Sequence, residues 1–273
     1  MSRASLDTGA VTQARALHLA ATYRRRVDAS LLRIWENVFD WEHLAHLHEA
    51  SFAQCTLIDS GPWGWRVKLT TVGAAMAQII ELRADRASGR YTSTTLEGAG
   101  AGTEIRVALV SIEPDRVDVT VDFHIPEPRP ERLEALGGAV VTAYARLWDE
   151  DEAMMQQRER ALAQRRTPDR TAPPLDLGDE RTVRAALPMA FEFGDAPFRL
   201  VDLEGEIVAH SSVCPHWLGP LDEAPVVDGE IRCPWHGYRF DVASGVCRAH
   251  PALTLAPAPV IQSIGGRFVA RWG

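Results

Sequence analysis

Apolar and polar positions alternate one by one through the segment Trp63, Gly64, Trp65, Arg66, Val67, Lys68, Leu69. They alternate again where Val117, Val119, Val121, Phe123 and Ile125 are separated by Asp118, Thr120, Asp122 and His124. A period of two places one set of side chains on a dry face and the other on a wet face, which is the pattern of a half-buried strand. The runs AQIIELRA, GRYTSTTLE and GTEIRVALVSI lie between these two and are divided by glycine-rich turns near Gly89 and Gly98 to Gly102. Residues 52–125 therefore predict a meandering antiparallel sheet.

The period changes on either side of that sheet. Upstream, TYRRRVDAS predicts a strand that ends at Ser30, a suitable helix N-cap, and LLRIWENVF follows with Leu31, Ile34, Trp35 and Val38 at helical spacing. Downstream, the proline-rich IPEPRPE precedes a long helical pattern over about 130–166, whose dry stripe is Leu133, Leu136, Val140, Tyr144, Leu147, Met154 and Leu162. QRRTPDRTAPPLDLGDE then has no apolar period and is rich in proline and charge, as a linker would be. Beyond it, short strand-like runs resume. FRLVDL and EIVAHSSV flank Glu204-Gly205, Asp228-Gly229 precedes EIRCPW, and Gly265-Gly266 joins VIQSI to RFVARW. The expected organisation is a mobile leader over 1–17, a sheet-and-helix domain over 18–166, a linker over 167–181 and a small all-β domain over 182–273. The fold class is α+β.

The chain has 273 residues and 46% apolar content, enough for two cores. Its net charge of -8 argues against nucleic acid and anionic membrane as partners. The start of the chain shows no secretory leader and no stretch reaches membrane-spanning length, which points to a soluble protein. Four cysteines do not make a disulfide framework and suit a reducing cytoplasm.

Two of those cysteines sit in a pattern with its own chemistry. Cys214 and His216 form a C-x-H, and Cys233 and His236 form a C-x-x-H, each beside a proline, with Gly237 following the last. Two thiolates and two imidazoles could hold zinc, but a zinc finger more often keeps its cysteines in one pair and its histidines in another. One ligand of each kind from each of two loops suits a 2Fe-2S cluster in which one iron takes two cysteines and the other two histidines. The stretch resembles the Rieske family, and the resemblance covers about Thr182 to Gly273. The loops PHWLGPL and PWHGYRF lack the additional cysteines of respiratory Rieske proteins, so the likeness is to the domains of ferredoxins and oxygenases. Cys55 and Cys247 are left without a ligand role.

A second cluster lies at NVFDWEHLAHLHEASF, which carries Asn37, Asp40, His43, His46 and His48. Non-heme iron that activates dioxygen commonly takes two histidines and a carboxylate on one face. His43 and His46 would share a face of a continuous helix, whereas His43 and His48 would meet only if the helix ended between them. The spacing N-x-x-D-x-x-H-x-x-x-x-H, filled by Asn37, Asp40, His43 and His48, resembles the catalytic-domain motif of Rieske non-heme iron oxygenases. That resemblance implies that His43 and His48 bind a mononuclear Fe(II), and that Asp40 links the iron site to a Rieske histidine. It leaves His46 beside the site or on the surface. Among the acids of the long helix, Asp151 falls in phase with the dry stripe, while Asp149 and Glu152 point away and Glu150 lies at the edge. The resemblance likewise makes Asp151 the third ligand, and it implies a helix-grip, START-like fold for the first domain. An apolar cavity between sheet and helix is expected, with Trp63, Trp65, Met76 and Phe123 as candidate lining residues.

The family resemblance implies an oxygenase that passes electrons from a 2Fe-2S cluster to the mononuclear Fe(II), activates dioxygen, and hydroxylates or oxidatively demethylates an apolar or aromatic small molecule. Since no nucleotide-binding glycine motif follows a strand, a separate reductase or ferredoxin is expected. Members of the family usually carry the Rieske domain first and assemble as homotrimers. The order here is reversed; a homo-oligomer, by preference a homotrimer, is still the expectation, with the cluster serving its own chain or a neighbour. A Rieske electron-transfer protein fused to a metabolite-binding helix-grip domain, and a zinc-containing binding module, are the alternatives.

Overall fold

The computed structural model describes residues 16–273. The expected leader over 1–17 lies almost wholly outside these residues. In the first domain, β1 (His18–Val27) leads into α1 (Leu31–Phe39), a short 3-10 turn (Glu42–Ala45) and six further strands. These are β2 (Phe52–Gly61), β3 (Gly64–Thr71), β4 (Gln78–Asp85), β5 (Arg90–Glu97), β6 (Glu104–Glu113) and β7 (Arg116–Ile125). They form one antiparallel sheet in the order β1-β7-β6-β5-β4-β3-β2. The first strand thus closes against the last, in a register that runs from His18 opposite Ile125 to Val27 opposite Val117 with a shift between Leu19 and Ala21.

The alternation places the core as expected. Val117, Val119, Val121 and Phe123 on β7 and Trp65, Val67 and Leu69 on β3 are all buried. Burying a side chain of this size contributes about 1.5–3 kcal/mol, so a dry sheet face needs an apolar partner. That partner is α2 (Pro130–Gln164), packed against β1 and β7. The Tyr144 ring meets Phe123 edge-on at 5.2 Å, and Trp148 and Met155 join the same core. The first domain is α+β with a sheet gripping a long helix. Ser30 caps α1 as expected, its side chain accepting from the Arg33 backbone N–H at 3.3 Å. At the other end, the Trp65 indole donates to the Val38 carbonyl at 2.8 Å and fixes where α1 stops over the sheet.

The second domain is small and almost all β. It contains β8 (Leu175–Asp179), α3 (Glu180–Ala186), β9 (Met189–Phe193), β10 (Ala196–Leu203), β11 (Glu206–Ser211), β12 (Val226–Val227), β13 (Glu230–Arg232), β14 (Arg239–Asp241), β15 (Val260–Ile264) and β16 (Arg267–Arg271). These make three three-stranded sheets, β11-β10-β9, β12-β13-β14 and β15-β16-β8. The hairpin turns fall at Glu204-Gly205, Asp228-Gly229 and Gly265-Gly266, each with positive φ. One expectation is corrected here. Residues 175–179, read as linker, form a strand paired with β16, and the helix that follows also belongs to this domain. An edge strand with one neighbour and a bulge needs little apolar pattern, which is why LDLGD passes for linker. Among the described residues no helix is long and apolar enough to cross a membrane.

Candidate functional site

The site begins where α1 gives out. Asp40 leaves helical geometry, with φ -85 and ψ 92, and one of its carboxylate oxygens accepts from the Glu42 backbone N–H at 3.2 Å. A single 3-10 turn follows and then widens, the His43 carbonyl accepting from the Leu47 N–H at 2.8 Å. This break brings His43 and His48 together, their ring centroids 5.1 Å apart. Both rings are buried. The continuous helix that would have paired His43 with His46 does not form.

Asp151 completes the group from α2. Its Oδ1 lies 3.4 Å from His43 Nε2 and 3.2 Å from His48 Nε2, and the three donor atoms all lie within 4.8 Å of one another. Donors held about 2.1 Å from one ion at right angles would be about 3 Å apart, so two imidazoles and one carboxylate at these separations fit a single metal ion with open positions opposite them. The Asn37 amide donates to the same Asp151 oxygen at 2.9 Å. Burial pushes the Asp151 carboxyl up, but His48, His43 and Asn37 outweigh it and hold it below the usual carboxylate range. The other helix acids divide largely as the helical phase predicts. Asp149 is exposed and paired with Arg25 at 2.5 Å, and Glu152 turns to β1, where it accepts from Arg25 Nε and the Asp28 N–H at 2.8 Å each.

Glu150, placed by phase at the edge, carries more than that position implies. Its carboxylate lies 2.6 Å from His48 Nδ1, and accepting from an N–H there would leave Nε2, beside Asp151, as the nitrogen able to bind a metal. Carboxylate partners of this kind set the tautomer and the ring orientation of a metal-binding histidine. Glu150→Ala is therefore expected to weaken ferrous-ion binding by about 10-fold, read by titrating the iron-depleted site, with the visible spectrum of the cluster unchanged.

The second ligand set lies across the domain joint. Cys214 and Cys233 are both buried, as is His236, on two loops that each close with a backbone bond. The Cys214 carbonyl accepts from the Leu218 N–H at 3.0 Å, and the Cys233 carbonyl from the Gly237 N–H at 3.0 Å. The His216 and His236 rings meet edge to face at 4.7 Å. The Nδ1 atoms of both are buried without a hydrogen-bond partner, an arrangement that costs free energy unless something else occupies those lone pairs. Burial and the neighbouring His236 hold His216 below its ordinary value. Two thiols and two unpartnered imidazole nitrogens fit an iron-sulfur cluster with one iron bound by each kind. Gly219 leaves room for it, because a Cβ there would sit 2.7 Å from Cys233 Sγ.

Asp40 stands between the two sets. Its Oδ2 lies 2.7 Å from His236 Nε2 and 3.3 Å from His43 Nδ1. Burial pushes this carboxyl up, but His236 and His43 on either side outweigh it and hold Asp40 ionised well below the usual range. His46 belongs to the joint as well. It packs so closely on Gly237 that a Cβ there would lie 2.5 Å from its ring, and Arg232 donates to its Nδ1 at 3.0 Å. Arg158, two turns beyond Asp151, stacks on Trp217 at 4.4 Å and donates to the Trp217 carbonyl and to Glu36, both at 2.9 Å.

A cavity of about 160 Å³ opens beside Asp151, His43 and His48. Of the lining residues anticipated, only Trp65 is there. Met76 is 72% exposed on the loop between β3 and β4, Phe123 is packed into the core, and Trp63 sits in the turn before β3 under the Arg83 guanidinium at 5.1 Å. Alternation marks a face but not where a hairpin turns, so it does not separate Trp63, in the turn, from Trp65, on the strand. Tyr91 and Tyr144 line the cavity instead, and burial pushes both phenols up.

Comparison with known proteins agrees with the second domain. A model of the Rieske [2Fe-2S] domain matches residues 174–260. Apoptosis-inducing factor 3 of Mus musculus is 37% identical over 62 residues, 23% of this chain and 10% of that protein. The oxygenase component of dicamba O-demethylase from Stenotrophomonas maltophilia is 38% identical over 48 residues, 18% of this chain and 14% of that protein. These matches thus span about a tenth to a seventh of the relatives' own lengths. Among solved structures, a START superfamily protein from Mycobacterium smegmatis matches with a TM-score of 0.41 and 19% identity, over 50% of this chain and 97% of that one. Residues 174–260 are a Rieske domain, which implies a 2Fe-2S cluster and an electron-transfer role of the oxidoreductase type.

Proposed function

We propose that the chain is a Rieske-type oxygenase in which Cys214, Cys233, His216 and His236 hold the cluster and His43, His48 and Asp151 hold a mononuclear Fe(II). The observation that carries this reading is Asp40, buried and in contact with one histidine of each set. A buried carboxylate is costly unless its partners are fixed, and here both partners would be metal ligands. When bound, the cluster supplies single electrons and the mononuclear iron activates dioxygen. The protein's own part is to hold the two sets in register and to keep Asp40 ionised as acceptor for the His236 Nε2–H. Hydroxylation takes two electrons and two protons per dioxygen, one oxygen entering the product and the other leaving as water. The electrons would come from a separate reductase or ferredoxin. The same contact disfavours a plain electron-transfer role, which would need no carboxylate between the cluster and a second histidine pair.

Asp40 and His236 belong to one chain, so this route crosses no subunit boundary and does not require the trimer anticipated above. Specific activity should then be constant on dilution. Protein purified without oxygen should be brown and contain about three irons per chain, two from the cluster and one from the mononuclear site. A chain with zinc in the cluster loops, or with the cluster but no third iron and no dioxygen uptake on reduction, would sink the proposal.

A further inference from the structure

We infer that the cavity beside Asp151 admits an uncharged molecule of single-ring size, and excludes both fused-ring and carboxylated aromatics. The inference concerns the substrate of the oxygenase proposed above and rests on that reading for the chemistry, but not for the binding.

Size comes first. The space measures about 160 Å³ and includes the room a metal ion would take. An apolar cavity of about 150 Å³ is known to hold benzene, so one six-membered ring with a methyl- or methoxy-sized substituent fills this one. A second fused ring finds no room toward the sheet, where Leu69 and Trp65 on β3 and Leu82 on β4 form a buried, packed wall. Interiors at this packing density do not yield a ring's volume without a large cost.

Charge decides the rest. Among the described residues no lysine or arginine lines the cavity. The two positive charges of a ferrous ion are already matched by Asp151 as ligand and by Asp40 behind His43, with Glu150 adding a third carboxylate on His48. A substrate carboxylate would be buried beside these acids with no cation to pair it, and an unpaired buried charge is among the costliest groups a site can take in. The other polar groups are the phenols of Tyr91 and Tyr144, the hydroxyl of Ser93, the Asn37 amide and the Trp148 indole, all neutral and all able to serve a hydroxyl or ether oxygen.

The experiment measures binding of toluene, anisole, naphthalene and benzoate to anaerobic holoprotein by ligand-observed NMR, with dioxygen uptake followed separately. Toluene and anisole are expected to bind saturably, and naphthalene and benzoate at least 10-fold more weakly. Ile80→Ala, which enlarges a partly buried wall, should raise naphthalene affinity by at least 10-fold, and Leu69→Phe should weaken anisole by a similar factor. Benzoate binding as tightly as anisole, naphthalene binding the unaltered protein as tightly as toluene, or no binding by any of the four, would each overturn the inference. Binding of anisole without dioxygen uptake would retain the ligand class and remove the oxygenase reading. Turnover of naphthalene would do the reverse.

Discussion

Asp40→Asn is expected to keep the cluster and the third iron and to lose about 100-fold in substrate-dependent dioxygen uptake, the upper range for partners one step removed from a metal. The substitution preserves shape and burial. It also leaves an amide oxygen that can accept from His236 Nε2–H, so the cluster loop need not move. What it removes is the negative charge between His236 at 2.7 Å and His43 at 3.3 Å, since both contacts fall on one oxygen, Oδ2, which an amide oxygen replaces as an acceptor but not as an anion. The deficit should therefore appear between the metals. Dithionite should reduce the cluster at its usual rate, and reoxidation of the reduced cluster by dioxygen with substrate present should be the slow step in a single turnover. Uptake at the unaltered rate would show that Asp40 is not part of the route. Loss of iron would show instead that Asp40 is needed to hold a metal.

Asp151→Ala is expected to abolish the mononuclear site and leave the Rieske spectrum intact. The carboxylate faces both Nε2 atoms at 3.2 to 3.4 Å, and without it the two histidines present only imidazole donors to a ferrous ion that favours a carboxylate beside them. The loss should be all or nothing, from about three irons per chain to about two. Asp149→Ala, two residues away on the same helix, should keep all three, because that side chain is exposed on Arg25. Retention of the third iron in the Asp151 variant, with the cluster fully occupied, would remove Asp151 from the ligand set.

Much of this site was legible because its residues sit on regular elements. The phase of α2 alone separates Asp151 from Asp149 and Glu152, and the alternation of β3 and β7 marks the faces that α2 covers. The histidines were legible only through resemblance. Their meeting depends on α1 ending at Asp40 and a single 3-10 turn following, and nothing in HLAHLH itself announces that break. Glu150 was missed for a related reason. A residue at the edge of a helical face can reach inward or outward, and the decision is made by His48, about 100 residues earlier in the chain. Tyr91 was missed because GRYTSTTLE has a weak period, its polar threonines and serine giving little sign of which face meets the helix. Trp63 and Met76 were misplaced because large apolar residues beside a strand read as its continuation, when the chain had already turned.

The contacts along α2 have a mechanical consequence. Asp151 reaches the histidine pair, and Arg158, seven residues on, clasps Trp217 in the first cluster loop, next to His216. Seven residues of helix rise about 10 Å, and a helix resists stretching far more than a loop does. In the oxygenase proposed above, the same rod that would present Asp151 to the iron would also set how far away the cluster stands. Electron tunnelling falls off exponentially with distance, so on that reading the helix would work as a gauge block, and mutations that kink it between Asp151 and Arg158 are expected to detune the transfer while leaving every ligand in place.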